Sequence, residues 1–227
     1  MKKIIMNGAN THIMSIKIDT AFNYFEKYNK ARNLAQATIT AYYKNYAYFN
    51  EFLKHYKEKT GIDIKDCNQV TEDLIIDYIN FMLDEKDIKK TTINTRITHI
   101  KAFFMYCFEH AYMKYFKISK LKLQKELKEL YSDNDMQLLL KKPNLEVCCF
   151  EDYRNWVVAN FTYATALRLR SIVNIKIKDI SFQSKQIFIG HLKNKKTVFL
   201  PLGEMMADIL KEYLSYRQRR ARRLLVL

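Results

Sequence analysis

Glycine and proline are nearly absent, with four and two residues in a chain of 227. Tight turns are therefore few. That excludes a sandwich or barrel of many short strands and favours long helices. No apolar run approaches the roughly 20 residues needed to span a bilayer. The opening Met1-Lys2-Lys3-Ile4-Ile5-Met6 starts like a secretory signal, but polar Asn7-Gly8-Ala9-Asn10-Thr11-His12 interrupts it at once. A signal needs an apolar stretch of about 7–15 residues, so a cytoplasmic protein is expected. The four cysteines, Cys67, Cys107, Cys148 and Cys149, form no C-x-x-C pair and have no histidine at metal-ligand spacing. They read as buried free thiols, and no metal site is expected.

Acidic residues are also in deficit. Thirty-nine lysines and arginines face 24 aspartates and glutamates, a formal net charge of +15. A folded domain of that charge points to a polyanion, usually nucleic acid. The length suits one large domain or two small ones.

Apolar residues recur at helical spacing through the first half. Asp19-Thr20 is a plausible cap for a helix to about Asn33, with Phe22, Phe25 and Tyr28 on one face. A longer helix runs from about Ala37 to Lys59, with Ile39, Tyr42, Tyr43, Tyr46, Phe49, Phe52 and Leu53 on its stripe and Gly61 as its stop. Thr71-Glu72-Asp73 opens a third, to about Leu83. Thr91-Thr92 opens a fourth, carrying Ile93, Ile97, Ile100, Phe103, Phe104 and Phe108. Four such helices make a small bundle over 18–113, after an N-terminal tail of residues 1–17. Aromatic stripes at this spacing read as core rather than as base-stacking platforms. The candidates for DNA contact are the polar positions on the opposite faces: Lys44, Lys54, Lys89, Lys90, Arg96 and Lys101.

Residues 114–131 change character. Lys114, Lys117, Lys120, Lys122, Lys125 and Lys128 recur with little apolar periodicity, as in a linker between domains. Such a linker is either simply solvated or a strap across a phosphate backbone. A second unit follows over 132–227. Ser132 caps a short helix over Met136–Lys141. An apolar helix is expected from Phe150 to Leu167, closed by Arg168, with a short helix at Ser171–Ile175. Gln186–Ile189 and Thr197–Leu200 read as two strands joined by a turn carrying Lys193, Lys195 and Lys196. Gly203–Tyr216 reads as a last amphipathic helix. The fold class expected is mainly α: a four-helix bundle followed by a partial α+β domain with a small hairpin. An arginine at a helix end can grip a phosphate through two parallel hydrogen bonds. A lysine on a hairpin turn can reach the same phosphate and donate a proton.

Thr165-Ala166-Leu167-Arg168, with Ile172, Asn174-Ile175, Lys176 and Asp179-Ile180, resembles the first conserved box of the tyrosine recombinases, the phage-integrase family. Lys193-Asn194-Lys195-Lys196-Thr197-Val198-Phe199-Leu200-Pro201-Leu202 is similar to that family's hairpin lysine and the strand after it. Ala37–Tyr42, Phe49–Leu53 and Thr92-Ile93-Asn94 leading to Phe103-Phe104 look like its SAM-like core-binding domain. The resemblance implies cleavage by a tyrosine that attacks a DNA phosphodiester, with arginines and a histidine stabilising the transition state and a lysine as general acid. It implies no metal, cofactor or small molecule, and it makes Arg168 the first catalytic arginine and Lys193 the catalytic lysine. The partners it implies are double-stranded DNA and other recombinase protomers on that DNA, with no membrane.

Three departures matter. Ala166 stands where the family has glycine, a mild change if the backbone there is helical. Ser171 stands where an acidic residue is usual. After His191 no histidine follows, so the His-x-x-Arg box and the tyrosine nucleophile of the family have no counterpart. Five of the ten arginines crowd between 217 and 223, ahead of Leu224-Leu225-Val226-Leu227. That tail reads either as residues from another frame, after a frameshift or early stop, or as a natural basic tail; the leading expectation is a C-terminally truncated integrase of a mobile element. The expectation is a protein that binds DNA without cutting it. An alternative is a stand-alone, non-catalytic DNA-binding regulator that competes for recombination sites. A third reading takes the arginine-rich tail as a membrane-surface or partner-binding helix.

Overall fold

The computed structural model describes residues 13–124, 129–190 and 197–224, with side chains through residue 218. The chain divides near residue 126 into two compact units.

The first unit is helical because its apolar residues return every three or four positions and bury one face of each helix. Helix α1 spans Ile18–Ala31, α2 spans Gln36–Thr60, α3 spans Glu72–Asn80 and α4 spans Lys90–Glu109. A 3-10 turn, Cys67–Gln69, precedes α3, and a π-helical turn, Phe81–Glu85, comes after it. The expected stops and starts are met at two points. Gly61 ends α2 with φ 75°, and the Thr71 hydroxyl accepts a hydrogen bond from the Leu74 N–H at 3.3 Å. Asp19 departs from expectation. The cap position of α1 is Lys17, and Asp19 lies within the first turn. A carboxylate there suits the positive end of the helix, and Asp19 accepts a hydrogen bond of 2.5 Å from the Tyr46 hydroxyl of α2.

The aromatic stripes meet in one core. Phe49, Phe103, Phe104 and Tyr78 are buried almost completely. The Phe22 and Tyr46 rings stack with centroids 3.7 Å apart. Each such ring contributes roughly 1.5–3 kcal/mol by leaving water. Tyr43, expected on the stripe, is instead 62% exposed.

Part of the predicted linker belongs to this unit. Met113 and Ile118 are buried against the bundle, with Phe116 and Leu121 half-buried beside them. The Asn94 side chain clasps the backbone of Leu121, donating to its carbonyl at 2.9 Å and accepting from its N–H at 2.8 Å. Lys101 Nζ donates to the Ile118 carbonyl at 2.7 Å.

In the second unit, α5 spans Asp133–Leu140, α6 spans Phe150–Thr165, α7 spans Leu169–Ile172 and α8 spans Glu204–Leu224. Strands β1 (Ile180–Ser181), β2 (Gln186–Ile189) and β3 (Val198–Pro201) form an antiparallel sheet in that order. Ile187 and Ile189 of β2, Tyr153, Val157 and Phe161 of α6, and Met206 and Leu210 of α8 are the core. Two strands were expected; the two-residue β1 is the addition. Helix α6 stops at Thr165 rather than Leu167, α7 begins before Ser171 rather than at it, and α8 runs through the arginine-rich stretch to Leu224 instead of ending at Tyr216.

Candidate nucleic-acid interface and phosphate-binding arginine

Arg168 does not close a helix; it opens one. Helix α6 terminates at Ala166, whose N–H donates to the Thr162 carbonyl at 2.8 Å and whose backbone turns left-handed, φ 50° and ψ 22°. The condition that made alanine a mild replacement for glycine is therefore not met. Leu167 is half-buried against the second core and anchors the reversal. Arg168 then takes an extended conformation as the residue capping α7, and its carbonyl accepts from the Ser171 N–H at 2.8 Å. The guanidinium is exposed and has no hydrogen-bond or ion-pair partner among the described residues. The three-residue break between α6 and α7, Ala166 to Arg168, thus presents a permanent cation without a partner among the described residues.

Lys193, Lys195 and Lys196 lie outside the described residues, as does His191. The flanking strands are described, and their last pair is Ile189 with Val198. Ser171 of α7 and Gly190 at the end of β2 line one small pocket with Asn174 and Asp179. The turn after Arg168 and the strand leading towards residue 193 therefore meet. A Cβ at Gly190 would come within 3.1 Å of the Phe188 ring. Ser171, the departure from the acidic pattern, is 7% exposed. Tyr213 and Tyr216 are packed rather than presented. Both rings lie parallel to that of Phe150, at 6.0 and 6.1 Å. Burial and then the charge of Glu212 push the neighbouring Tyr153 hydroxyl up to about 12.

On the bundle, the six basic candidates separate into two groups. Lys44 and Lys54 on α2 and Lys89 and Lys90 at the start of α4 are exposed. Lys89 caps α4 without a side-chain hydrogen bond, and the first turn holds no acidic residue. The free N–H groups of that turn and two lysines beside them favour an anion. Arg96 and Lys101 are committed elsewhere. The Arg96 guanidinium carbon lies 3.6 Å from the centre of the Tyr48 ring, and Lys101 holds the segment after the bundle. Sequence reasoning missed Asn45 and His99, whose side chains join α2 to α4 at 3.3 Å. A polar residue beside each buried stripe was the available signal.

The cysteines divide too. Cys67 and Cys107 are buried as expected, but Cys148 is only half-buried and Cys149 is exposed. Cys149 caps α6, its thiol donating to Asp152 at 3.1 Å. That contact pushes the thiol up and keeps it protonated. Among the described residues no group of histidine, cysteine, aspartate and glutamate could hold a metal ion. No helix there is long and apolar enough to cross a membrane.

A helical bundle followed by an α+β unit with an exposed arginine at a helix head is also the order in which known protein families match this chain. The Phage integrase family pattern matches residues 129–226, and the pattern of the Phage integrase, N-terminal SAM-like domain matches residues 22–110. The chain belongs to the phage integrase family of tyrosine recombinases. It is 24% identical over 203 residues to tyrosine recombinase XerC of Staphylococcus carnosus (strain TM300), covering 88% of this chain and 64% of that one. It is 24% identical over 190 residues to tyrosine recombinase XerC of Staphylococcus aureus (strain JH9), covering 82% and 59%. The chain thus spans about three-fifths of the length of these relatives. Its fold resembles XerH site-specific recombinase bound to palindromic difH substrate, in a post-cleavage complex, with TM-score 0.65, 18% identity, and 84% and 56% of the two chains covered. It also resembles a lambda integrase(75-356) dimer bound to a COC' core site, with TM-score 0.60, 15% identity, and 87% and 69% covered.

Proposed function

We propose that this chain binds duplex DNA through both units and, with the residues it has, does not cut it. The observation that carries the reading is Arg168: an exposed guanidinium without a partner among the described residues, set at the head of α7 by a backbone reversal in a family of tyrosine recombinases. Such a group suits a phosphate, which it can hold by two hydrogen bonds. Arg168 takes the role of the first catalytic arginine and Lys193 that of the general acid, with Lys195 and Lys196 beside the same backbone. Lys44, Lys54, Lys89 and Lys90 supply sequence-independent affinity for the duplex. Cleavage would need a nucleophile and a second set of charge-stabilising groups. Tyr213 and Tyr216 are held in an aromatic cluster, and no histidine follows His191.

Binding to a short duplex carrying the element's own attachment site, read by fluorescence anisotropy across a salt series, tests the first half. Replacing Lys89 and Lys90 by glutamate should lower the slope of log affinity against log salt by about one per lost phosphate contact. An unchanged slope removes α4 from the interface. A supercoiled plasmid carrying the same site tests the second half: nicking, or a covalent protein–DNA adduct, would sink the claim that the chain does not cut.

A further inference from the structure

Asn45 of α2 and His99 of α4 face each other across the seam between the two helices, both half-buried. The Asn45 amide nitrogen donates to the Ala41 carbonyl at 2.7 Å and lies 3.3 Å from His99 Nδ1. Reversing the amide would set its oxygen against the Ala41 carbonyl oxygen, two acceptors with no proton between them. The nitrogen therefore faces Ala41, and its second hydrogen faces the imidazole. In the neutral ring Nδ1 accepts that hydrogen, so the ring proton sits on Nε2. The Tyr42 ring meets the imidazole edge-on at 5.7 Å and fixes its plane. Two polar atoms are left over: the Nε2–H donor of His99 and the Asn45 side-chain oxygen. Neither has a partner among the described residues, and neither is one of the enclosed unpartnered atoms, so both open to solvent.

The face on which they open suits close approach to a polyanion. Thr91, Thr95 and Thr98 form the exposed side of α4. Their side chains are short, and two of the hydroxyls turn back onto the helix: Thr95 donates to the Thr91 carbonyl at 3.0 Å and Thr98 to the Asn94 carbonyl at 2.6 Å. The helix holds no acidic residue before Glu109. Lys44 adjoins Asn45 in sequence, and Lys89 and Lys90 stand at the head of α4. None of these three lysines has an ion-pair partner among the described residues. The major groove of DNA, about 12 Å wide, admits an α-helix. Threonines let the backbone of such a helix come near the base edges, where every purine offers its N7 as an acceptor.

We propose that His99 is a specificity-determining residue, whose Nε2–H donates to the N7 of a purine in the major groove. Asn45 is its positioning residue, holding the ring proton on the nitrogen that faces the base. The inference rests on the reading that this chain binds duplex DNA.

Selection from a pool of random-sequence duplexes, by the full chain and by its His99→Phe variant, tests this. Phenylalanine keeps a ring against Tyr42 and removes both nitrogens, and far-UV circular dichroism shows that the variant has stayed folded. The unaltered chain should enrich duplexes with a purine fixed at one position, and His99→Phe should lose the preference at that position alone. Replacing that purine by its 7-deaza analogue removes N7 and keeps the base pair. It should weaken the unaltered chain about 2- to 12-fold, the worth of one hydrogen bond, and leave His99→Phe unchanged. Nitrogen-15 NMR of the free chain at mildly alkaline pH should find His99 protonated on Nε2, with the Nδ1 signal moving in Asn45→Leu as its donor is lost. A ring protonated on Nδ1, or an Nδ1 signal that Asn45→Leu does not move, overturns the proposal. So does a His99→Phe variant that selects the same purine, or a 7-deaza analogue that costs nothing. Sequence-blind retention of the pool overturns base reading and leaves the DNA-binding reading intact; no retention overturns both.

Discussion

Replacing Ala166 by glycine should stabilise the second unit. Ala166 is exposed, so the change disturbs no packing, and its backbone sits at φ 50°. A residue with a Cβ pays roughly 1–2 kcal/mol in that region. Glycine removes this strain but adds about 0.4–1 kcal/mol of chain entropy to the unfolded state. The net gain is about 0.5–1 kcal/mol, in keeping with the preference for glycine just past a helix end. Urea unfolding reads it well. With a slope of about 1–3 kcal/mol per molar for a small unit, the midpoint should rise by about 0.3–0.7 M. The chain has a single tryptophan, Trp156 in α6, whose indole donates to the Leu140 carbonyl at 2.8 Å. Its fluorescence reports this unit alone. Ala111 provides the control: it too is left-handed, at φ 53°, but lies in the first unit. Ala111→Gly should leave the Trp156 transition where it is. A midpoint that stays or falls in Ala166→Gly would refute the left-handed turn before Arg168.

Asn94→Ala should destabilise the first unit by about 1–3 kcal/mol, because the Leu121 N–H and carbonyl lose their partner in a half-buried place; far-UV circular dichroism in urea checks it, and a change below about 0.5 kcal/mol would deny the clasp. Tyr153 keeps its proton in the folded state up to about 12 against an ordinary 10. The stability this lends is complete below pH 10 and drains away as pH rises towards 12. Alkaline titration of the Trp156 transition should show that loss, and Tyr153→Phe should flatten it.

Periodicity made the bundle legible. Phe22, Phe49, Phe103 and Phe104 lie three or four positions from apolar neighbours, and each is buried. The pairing of Gln186–Ile189 with Val198–Pro201 was equally readable from alternation and β-branching. Three features were not readable because they depend on contacts far apart in sequence. Asp19 looked like a cap because nothing local announces its bond to Tyr46. Arg96 and Lys101 looked like free surface charges until Tyr48 and Ile118 were placed beside them. Ala166 matched a helical alanine, since left-handed geometry has no signature in a residue that also favours helix. Of the site, Arg168 was found by motif, but its position at the head of α7 depended on that turn.

The π-helical turn at Phe81–Glu85 bears on how this bundle tolerates changes of length. A π turn accommodates one residue more than an α-helix would. Here the extra residue leaves Phe81 and Met82 both in the core, while Glu85 reaches back to His55 at 2.8 Å and Lys59 at 3.3 Å. Loss of one residue in this stretch would let the turn relax to ordinary α-helix, so that the change is absorbed within Phe81–Glu85 and α1, α2 and α4 stay in register. The turn marks where the reading frame of this bundle can gain or lose a residue while the stacked aromatic rings stay in place.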